Sequence, residues 1–282
     1  MIELKKRILH RIGKHASRPR AFAEALRCRA LVKNYDFGAA HYQRIYHYHI
    51  RKTGGTSLNQ MFLALSGRPG EVLYAQLGDR VYEEALQEQS IGSPERALIV
   101  DDKVFVGWNK HLIERGYYFY AFSHLPAHSL KLPERTFTVT CLREPCARLV
   151  SLYNMLTYYD HNKFPHPGMV EQSRWLGQSF ADFLARVPRR ELLGQLYMFS
   201  PRLSINEAFD NILKCSHFFF SEDFSTGVNA LSEKLGLSLQ SIHVRKARHQ
   251  AAITAQDMER LCSLLEPEIL LYERLRASAA TL

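Results

Sequence analysis

The run Arg51-Lys52-Thr53-Gly54-Gly55-Thr56-Ser57 limits what this chain can fold into more than any other stretch. Before it comes Tyr46-His47-Tyr48-His49-Ile50, aromatic and strand-like. After it comes Leu58-Asn59-Gln60-Met61-Phe62-Leu63-Ala64-Leu65, with helical composition. A strand entering a helix through a glycine turn leaves backbone N–H groups pointing outward, where the helix dipole favours an anion. Gly54 and Gly55 permit close backbone approach, Lys52 brings a mobile charge, and Thr53, Thr56 and Ser57 add hydroxyl donors. An ordinary βα turn capped by Thr56 or Ser57 would use the same residues and leave Lys52 idle. Lysine, two glycines and three hydroxyls in one short run favour a phosphate-type site. It is not a Walker A loop, because there the lysine follows the last glycine.

A second strand–turn–helix signal begins at Thr136. Residues Thr136 to Leu142 are rich in β-branched and aromatic side chains and read as a buried strand. The strand runs into Arg143-Glu144-Pro145, and a helix follows with Pro145 in its first turn. Arg143 therefore ends a strand on the side where open α/β sheets bind ligands. Arg148 and Ser151 are three apart, so a guanidinium and a hydroxyl on one helix face can grip one phosphate. A structural Arg143–Glu144 pair with a solvated Arg148 fits the same letters.

Together the two runs resemble the cofactor motifs of Golgi-type carbohydrate sulfotransferases, which use 3′-phosphoadenosine 5′-phosphosulfate. In that family a strand enters P-K-T-G-[GS]-T-S, and a later one enters L-R-[DE]-P-x-x-R-x-x-S-x-Y. The matching positions are Lys52 to Ser57, then Leu142-Arg143-Glu144-Pro145 with Arg148, Ser151 and Tyr153. Arg51 stands where proline is usual. Weaker echoes are Phe122-Ser123-His124-Leu125-Pro126 against G-H-L-P, with Ser123 for glycine, the unit from Phe218 to Leu237, and Glu266 to Tyr272 against D-x-x-L-Y-E. The likeness spans roughly residues 46–276.

The resemblance implies a role for each matched residue. Arg51 to Ser57 would wrap the 5′-phosphosulfate, with Lys52 at the leaving oxygen. Arg143 and Ser151 would hold the 3′-phosphate, with Arg245 and Lys246 closing over the cofactor. His124, at the G-H-L-P position, would be general base, a task that suits a side chain titrating near neutral pH. Tyr158, Tyr159 and His161 would line a cleft for a carbohydrate or glycoconjugate hydroxyl. No metal is expected. Among the thirteen histidines, His47 and His49 are expected to be packing residues of the first strand, and His111, Asp101 and Asp102 are weaker rivals as base. A strand-end histidine held by a hydrogen bond is the plain alternative for His124, and a solvated basic loop is the plain alternative for Arg245 and Lys246.

Strands alternating with helices predict an α/β fold with a mainly parallel, doubly wound sheet. With 282 residues, 46% hydrophobic, and no Pro/Gly/Ser-rich linker, one domain over 41–282 is expected behind a basic extension over 1–40. Most of the formal charge of +9 sits at that end, where ten Lys/Arg in residues 1–36 face only Glu3, Glu24 and Asp36. Leu4, Ile8, Leu9 and Ile12 lie at helical spacing opposite basic residues, so an anionic membrane surface is one partner such a helix fits. Packing on the domain is another. No nucleic-acid reading motif accompanies the charge. No apolar run reaches the ~18–20 residues a span needs. A complete chain is expected to be cytoplasmic, whereas one whose anchor has been removed would belong in the Golgi lumen. The five cysteines show no zinc spacing, and Cys141 and Cys146 read as small buried residues in a reducing compartment. Two other function classes remain open at this stage: a P-loop-like ATP-dependent kinase, and a non-catalytic basic module for anionic polymer or membrane.

Overall fold

The computed structural model describes residues 26–32, 35, 42–86, 97–163, 168–240 and 252–280, with only the backbone described over 79–86. Among the described residues six strands form one sheet: β1 (Arg44–Tyr48), β2 (Ala97–Val100), β3 (Lys103–Gly107), β4 (Tyr120–Ser123), β5 (Thr136–Leu142) and β6 (His217–Phe220). Their order is β2-β3-β4-β1-β5-β6. The β3/β4, β4/β1, β1/β5 and β5/β6 pairs are parallel, and β2 with β3 is an antiparallel edge hairpin. The hairpin turns at Asp101, which takes the left-handed conformation (φ 54°) that aspartate tolerates better than most residues.

The helical elements are α1 (26–32), α2 (Gly55–Ala64), α3 (Gly70–Leu86), α4 (Lys110–Arg115), α5 (Pro145–His161), α6 (Met169–Leu176), α7 (Phe180–Arg186), α8 (Arg189–Leu192), α9 (Gly194–Phe199), α10 (Ile205–Leu213), α11 (Phe224–Leu235) and α12 (Ala255–Ala279). They cover both faces of the sheet, because alternate strand residues are apolar on opposite sides. Ile45, Tyr120, Phe122, Val139 and Phe219 pack under α2, α3 and α11. Leu142 and Phe220 pack under α5, α7, α9 and α12, while Tyr46, Val106 and Ala121 meet α4. Phe62 of α2 stacks on Tyr120 of β4 with ring centroids 4.2 Å apart, which fixes α2 above β4. Each such aromatic, fully buried, contributes about 1.5–3 kcal/mol of transfer free energy.

Two stretches differ from the sequence expectation. Residues 157–178 read as irregular, yet α5 runs on to His161 and α6 occupies Met169–Leu176. Leu149, Leu152, Tyr153 and Leu156 extend one buried stripe, and Tyr153 meets the rings of Phe180 and Phe183 at 4.9 and 5.1 Å. The helix thus runs on to His161 and stops short of the turn-forming Pro165, Pro167 and Gly168. The letters predict a short helix near Val81 to Gln89; its described part, as far as Leu86, is instead the end of α3, which starts at Gly70. That glycine touches α2 so closely that a methyl group there would sit 1.9 Å from the Gln60 carbonyl oxygen.

Cys141 is buried as expected, but Cys146 also has a neighbour, its Sγ lying 3.2 Å from the Sγ of Cys262 on α12. The basic segment around Leu4 to Lys14 and the loop bearing Arg245 and Lys246 lie outside the described residues. Among the described residues no helix is long and apolar enough to cross a membrane.

Candidate functional site

The two motifs emerge side by side. β1 and β5 are adjacent and parallel, with Tyr48 opposite Thr140, so the run after Tyr48 and the run after Leu142 leave the same edge of the sheet. From β1 the chain goes on to the β2–β4 side, and from β5 to the β6 side. The crevice between them is the switch point at which open α/β sheets bind ligands. Across it the Arg143 guanidinium donates to the Lys52 carbonyl oxygen at 3.2 Å.

Local backbone geometry explains the first motif. Lys52 (φ 70°) and Gly54 (φ 90°) both take left-handed conformations, which fold the loop back over the end of β1. A non-glycine residue held there costs about 1–3 kcal/mol, the kind of strain that collects at ligand clamps. Gly54 is the N-cap of α2, and no side chain caps the helix. Thr56 and Ser57 are therefore not caps; the Ser57 and Leu58 N–H groups donate to the Gly54 carbonyl oxygen at 3.0 and 3.3 Å, and the start of α2 from Gly55 to Ser57 lines a cavity. Thr53 differs from its neighbours, since its hydroxyl turns inward onto the Ile50 carbonyl oxygen at 3.0 Å. It shapes the turn and does not line the cavity.

That cavity, about 500 Å³, is lined by Arg51, Lys52, Gly54, Gly55, Thr56, Ser57, His124, Arg143, Ser151 and Tyr159 among the residues singled out from sequence. A pocket of that size suits a nucleotide-sized ligand. Arg51 donates to Gln172 Oε1 at 3.0 Å and lies 3.6 Å from Glu191 Oε2, so Glu191 partly offsets its charge. Lys52 and Arg143 bring two further cationic side chains to the lining.

The second motif requires a correction. Arg148 does not share a phosphate with Ser151; it is 1% exposed and faces the core. Its Nε donates to Glu268 Oε1 at 3.0 Å, and its guanidinium also donates to the carbonyl oxygens of Glu191 and Leu192. Glu268 accepts in turn from the backbone N–H groups of Gln195 and Leu196 at 3.0 and 3.3 Å. Gln195 grips the Arg143 backbone at both ends, accepting from its N–H and donating to its carbonyl, each at 2.8 Å. The buried Arg148–Glu268 pair therefore holds Arg143 in place through Gln195. Nor do Arg143 and Glu144 form a structural pair. Glu144 caps α5, accepting from the N–H groups of Cys146 and Ala147 at 2.9 and 2.6 Å.

His124 ends β4, beside the loop. Its Nδ1 lies 2.6 Å from the His49 carbonyl oxygen. A carbonyl only accepts, so Nδ1 carries the hydrogen and Nε2 keeps the lone pair that a base needs. The rivals fall away: Asp101 and Asp102 sit in the β2–β3 turn at the opposite end of the sheet, and His111 does not line the cavity. Tyr158 and His161 do not line it either. They lie on the last turns of α5, where successive residues point in different directions, and only Tyr159 faces inward.

Tyr74 and Trp108, which the sequence did not single out, and His49, expected only to pack, also line the cavity. Trp108 follows β3 in a left-handed conformation (φ 54°), with its ring centroid 6.2 Å from that of His124. A large residue directly after a strand was the only available signal. No protein-family model matches the chain, and no curated protein matches it.

Proposed function

We propose that this chain is a sulfotransferase that moves a sulfuryl group from 3′-phosphoadenosine 5′-phosphosulfate to a hydroxyl of a carbohydrate or glycoconjugate. One observation carries the reading: Lys52 and Arg143, from motifs far apart in sequence, meet at the switch point and share one cavity with an uncapped helix N-terminus. A doubly charged nucleotide has two anionic ends, and this site offers a cationic grip for each. The donor supplies a sulfuryl group on a phosphate leaving group.

The chain's own residues then have distinct tasks. The backbone N–H groups of Gly55 and Thr56 and the hydroxyls of Thr56 and Ser57 hold the 5′ end. Arg143 and Ser151, one strand away, hold the 3′-phosphate. Lys52 offsets charge on the departing oxygen, where preorganised electrostatics is the largest expected contribution. His124 Nε2 accepts the acceptor's hydroxyl proton, and the resulting imidazolium keeps its Nδ1–H bond to the His49 carbonyl. Strand order supports this division of tasks. Arg143 follows β5 on one side of the loop, while His124 and Trp108 follow β4 and β3 on the other. Nucleotide and acceptor therefore meet over the end of β1, with Trp108, Tyr74 and Tyr159 offering aromatic faces to a sugar ring.

The reading is tested by incubating the protein with radiolabelled donor and a mixed glycan pool. Label should pass to glycan with the wild-type protein and not with His124→Ala. No transfer by the wild-type protein to any glycan or glycoconjugate would overturn it.

A further inference from the structure

His49 was expected to be a packing residue of the first strand. It is 4% exposed, yet it lines the cavity. Its ring lies 5.1 Å from that of His47 and 4.5 Å from that of His124, giving a column of three imidazoles on one side of the loop.

With the Asn59 amide oxygen toward Tyr120 and His47, the hydrogen bonds of this column assign a proton to one nitrogen of each ring. Asn59, on the buried face of α2, is the hub. Its Oδ1 accepts from the Tyr120 hydroxyl at 2.7 Å and lies 2.8 Å from His47 Nδ1. An amide oxygen only accepts, so His47 Nδ1 donates and His47 is the Nδ1–H tautomer. Consistently, His47 Nε2 is buried with no hydrogen-bond partner. The Asn59 amide nitrogen lies 3.2 Å from His49 Nδ1. An amide nitrogen only donates, so His49 Nδ1 is the acceptor and the hydrogen sits on Nε2. The two stacked histidines are therefore opposite tautomers, set by the two ends of one amide.

The Nε2 edge of His49 is directed at the start of α2. A methyl group on Gly55 would lie 2.3 Å from His49 Nε2 and 2.0 Å from its Cδ2. Among the described residues Nε2 has no hydrogen-bond partner. Burial, followed by the charges of His124, His47, Arg51 and Lys52, holds the ring well below the usual histidine range, so it stays neutral. The helix N-terminus thus has a buried, neutral N–H beside it, presented into the same cavity.

We infer that His49 is an anion-binding residue of this site, donating through Nε2–H to the phosphate group held at the N-terminus of α2, and that Asn59 is the positioning residue that locks its tautomer. The inference deepens the proposed function and rests on it for the identity of the anion. A neutral donor binds an anion without adding charge to a cavity that already holds Arg51, Lys52 and Arg143. A glycine is required at 55 because any side chain there would block the edge that donates.

The experiment is long-range 1H–15N spectroscopy of histidine-labelled protein, with and without adenosine 3′,5′-bisphosphate or inorganic pyrophosphate. His49 should read as Nε2–H and His47 as Nδ1–H, and either anion should shift the His49 Nε2–H proton while leaving His47 unmoved. His49→Phe keeps the ring stack and removes the donor, and it should bind the bisphosphate about ten-fold or more weakly, as expected for a lost hydrogen bond to a charged group. Asn59→Asp should switch His49 to Nδ1–H and weaken binding in the same direction. An Nδ1–H His49 in the wild type, or bisphosphate binding by His49→Phe within two-fold of wild type, overturns the inference and leaves the proposed function standing. If pyrophosphate shifts His49 but the bisphosphate does not bind, the inference stands and the nucleotide assignment falls.

Discussion

The Arg143 side chain donates to the Lys52 carbonyl oxygen at 3.2 Å, joining two motifs that leave neighbouring parallel strands. Neither residue can shift without disturbing the other. The contact ties the second motif to the left-handed backbone at Lys52 and brings two cations to one cavity. Like charges in a partly desolvated pocket repel, and a bound anion relieves that repulsion.

Lys52→Ala should lower turnover by about two decades or more, the scale seen when one preorganised electrostatic group is removed from a transition state. Steady-state kinetics at saturating donor measures it. Turnover near the wild-type value would remove Lys52 from the leaving oxygen.

His124→Ala should abolish transfer while leaving affinity for adenosine 3′,5′-bisphosphate within a few-fold of wild type. A base acts on the acceptor, and its ring takes no part in holding the nucleotide. Calorimetry beside the transfer assay separates the two effects. Joint loss of binding and transfer would mark His124 as a structural residue that braces β1 through the His49 carbonyl.

Glu268→Gln should destabilise the fold by about 3–5 kcal/mol, because it leaves the buried Arg148 guanidinium without its counter-charge. Replacing both partners with apolar residues should cost less than either single change. Urea denaturation of the single and double variants gives the coupling energy. The same substitution should weaken bisphosphate binding, since Glu268 supports Gln195, and Gln195 holds the Arg143 backbone. A loss of stability with unchanged binding would break that chain.

Buried histidines, His47 and His217 among them, should make the fold acid-sensitive. Burial lowers His47 from 6.5 to about 4, and His217 likewise to about 4. Between those values the unfolded chain takes up protons that the folded chain does not, so stability rises with pH across this window. It should be fully present above about pH 6.5 and fall as pH drops toward 4. Denaturation midpoints at stepped pH check the sign. A midpoint that rises on acidification through this window would contradict it.

The strand–turn–helix units were legible because their signals are local: β-branched runs, Gly54 and Gly55, and Pro145 in the first turn of its helix. What the letters hide depends on neighbours distant in the chain. Arg148 and Ser151 share a helix spacing, but α12 brings Glu268 against one and leaves the other lining the cavity. Pro165, Pro167 and Gly168 suggest a loop around Tyr158 and His161, whereas α5, packed through Tyr153 on Phe180 and Phe183, runs on to His161. Tyr74 and Trp108 come to the site only through the order β2-β3-β4-β1-β5-β6. His49 looked like a packing residue because alternation along β1 reports its face, not the uncapped helix end beside it.

The most direct test is calorimetric titration with adenosine 3′,5′-bisphosphate, and separately with ATP, each with and without Mg²⁺. Two cationic grips set one strand apart predict that the bisphosphate binds without metal and more tightly than ATP, and that Arg143→Ala erases most of that preference. Binding of ATP in preference to the bisphosphate, or a bisphosphate affinity indifferent to Arg143, would contradict the account.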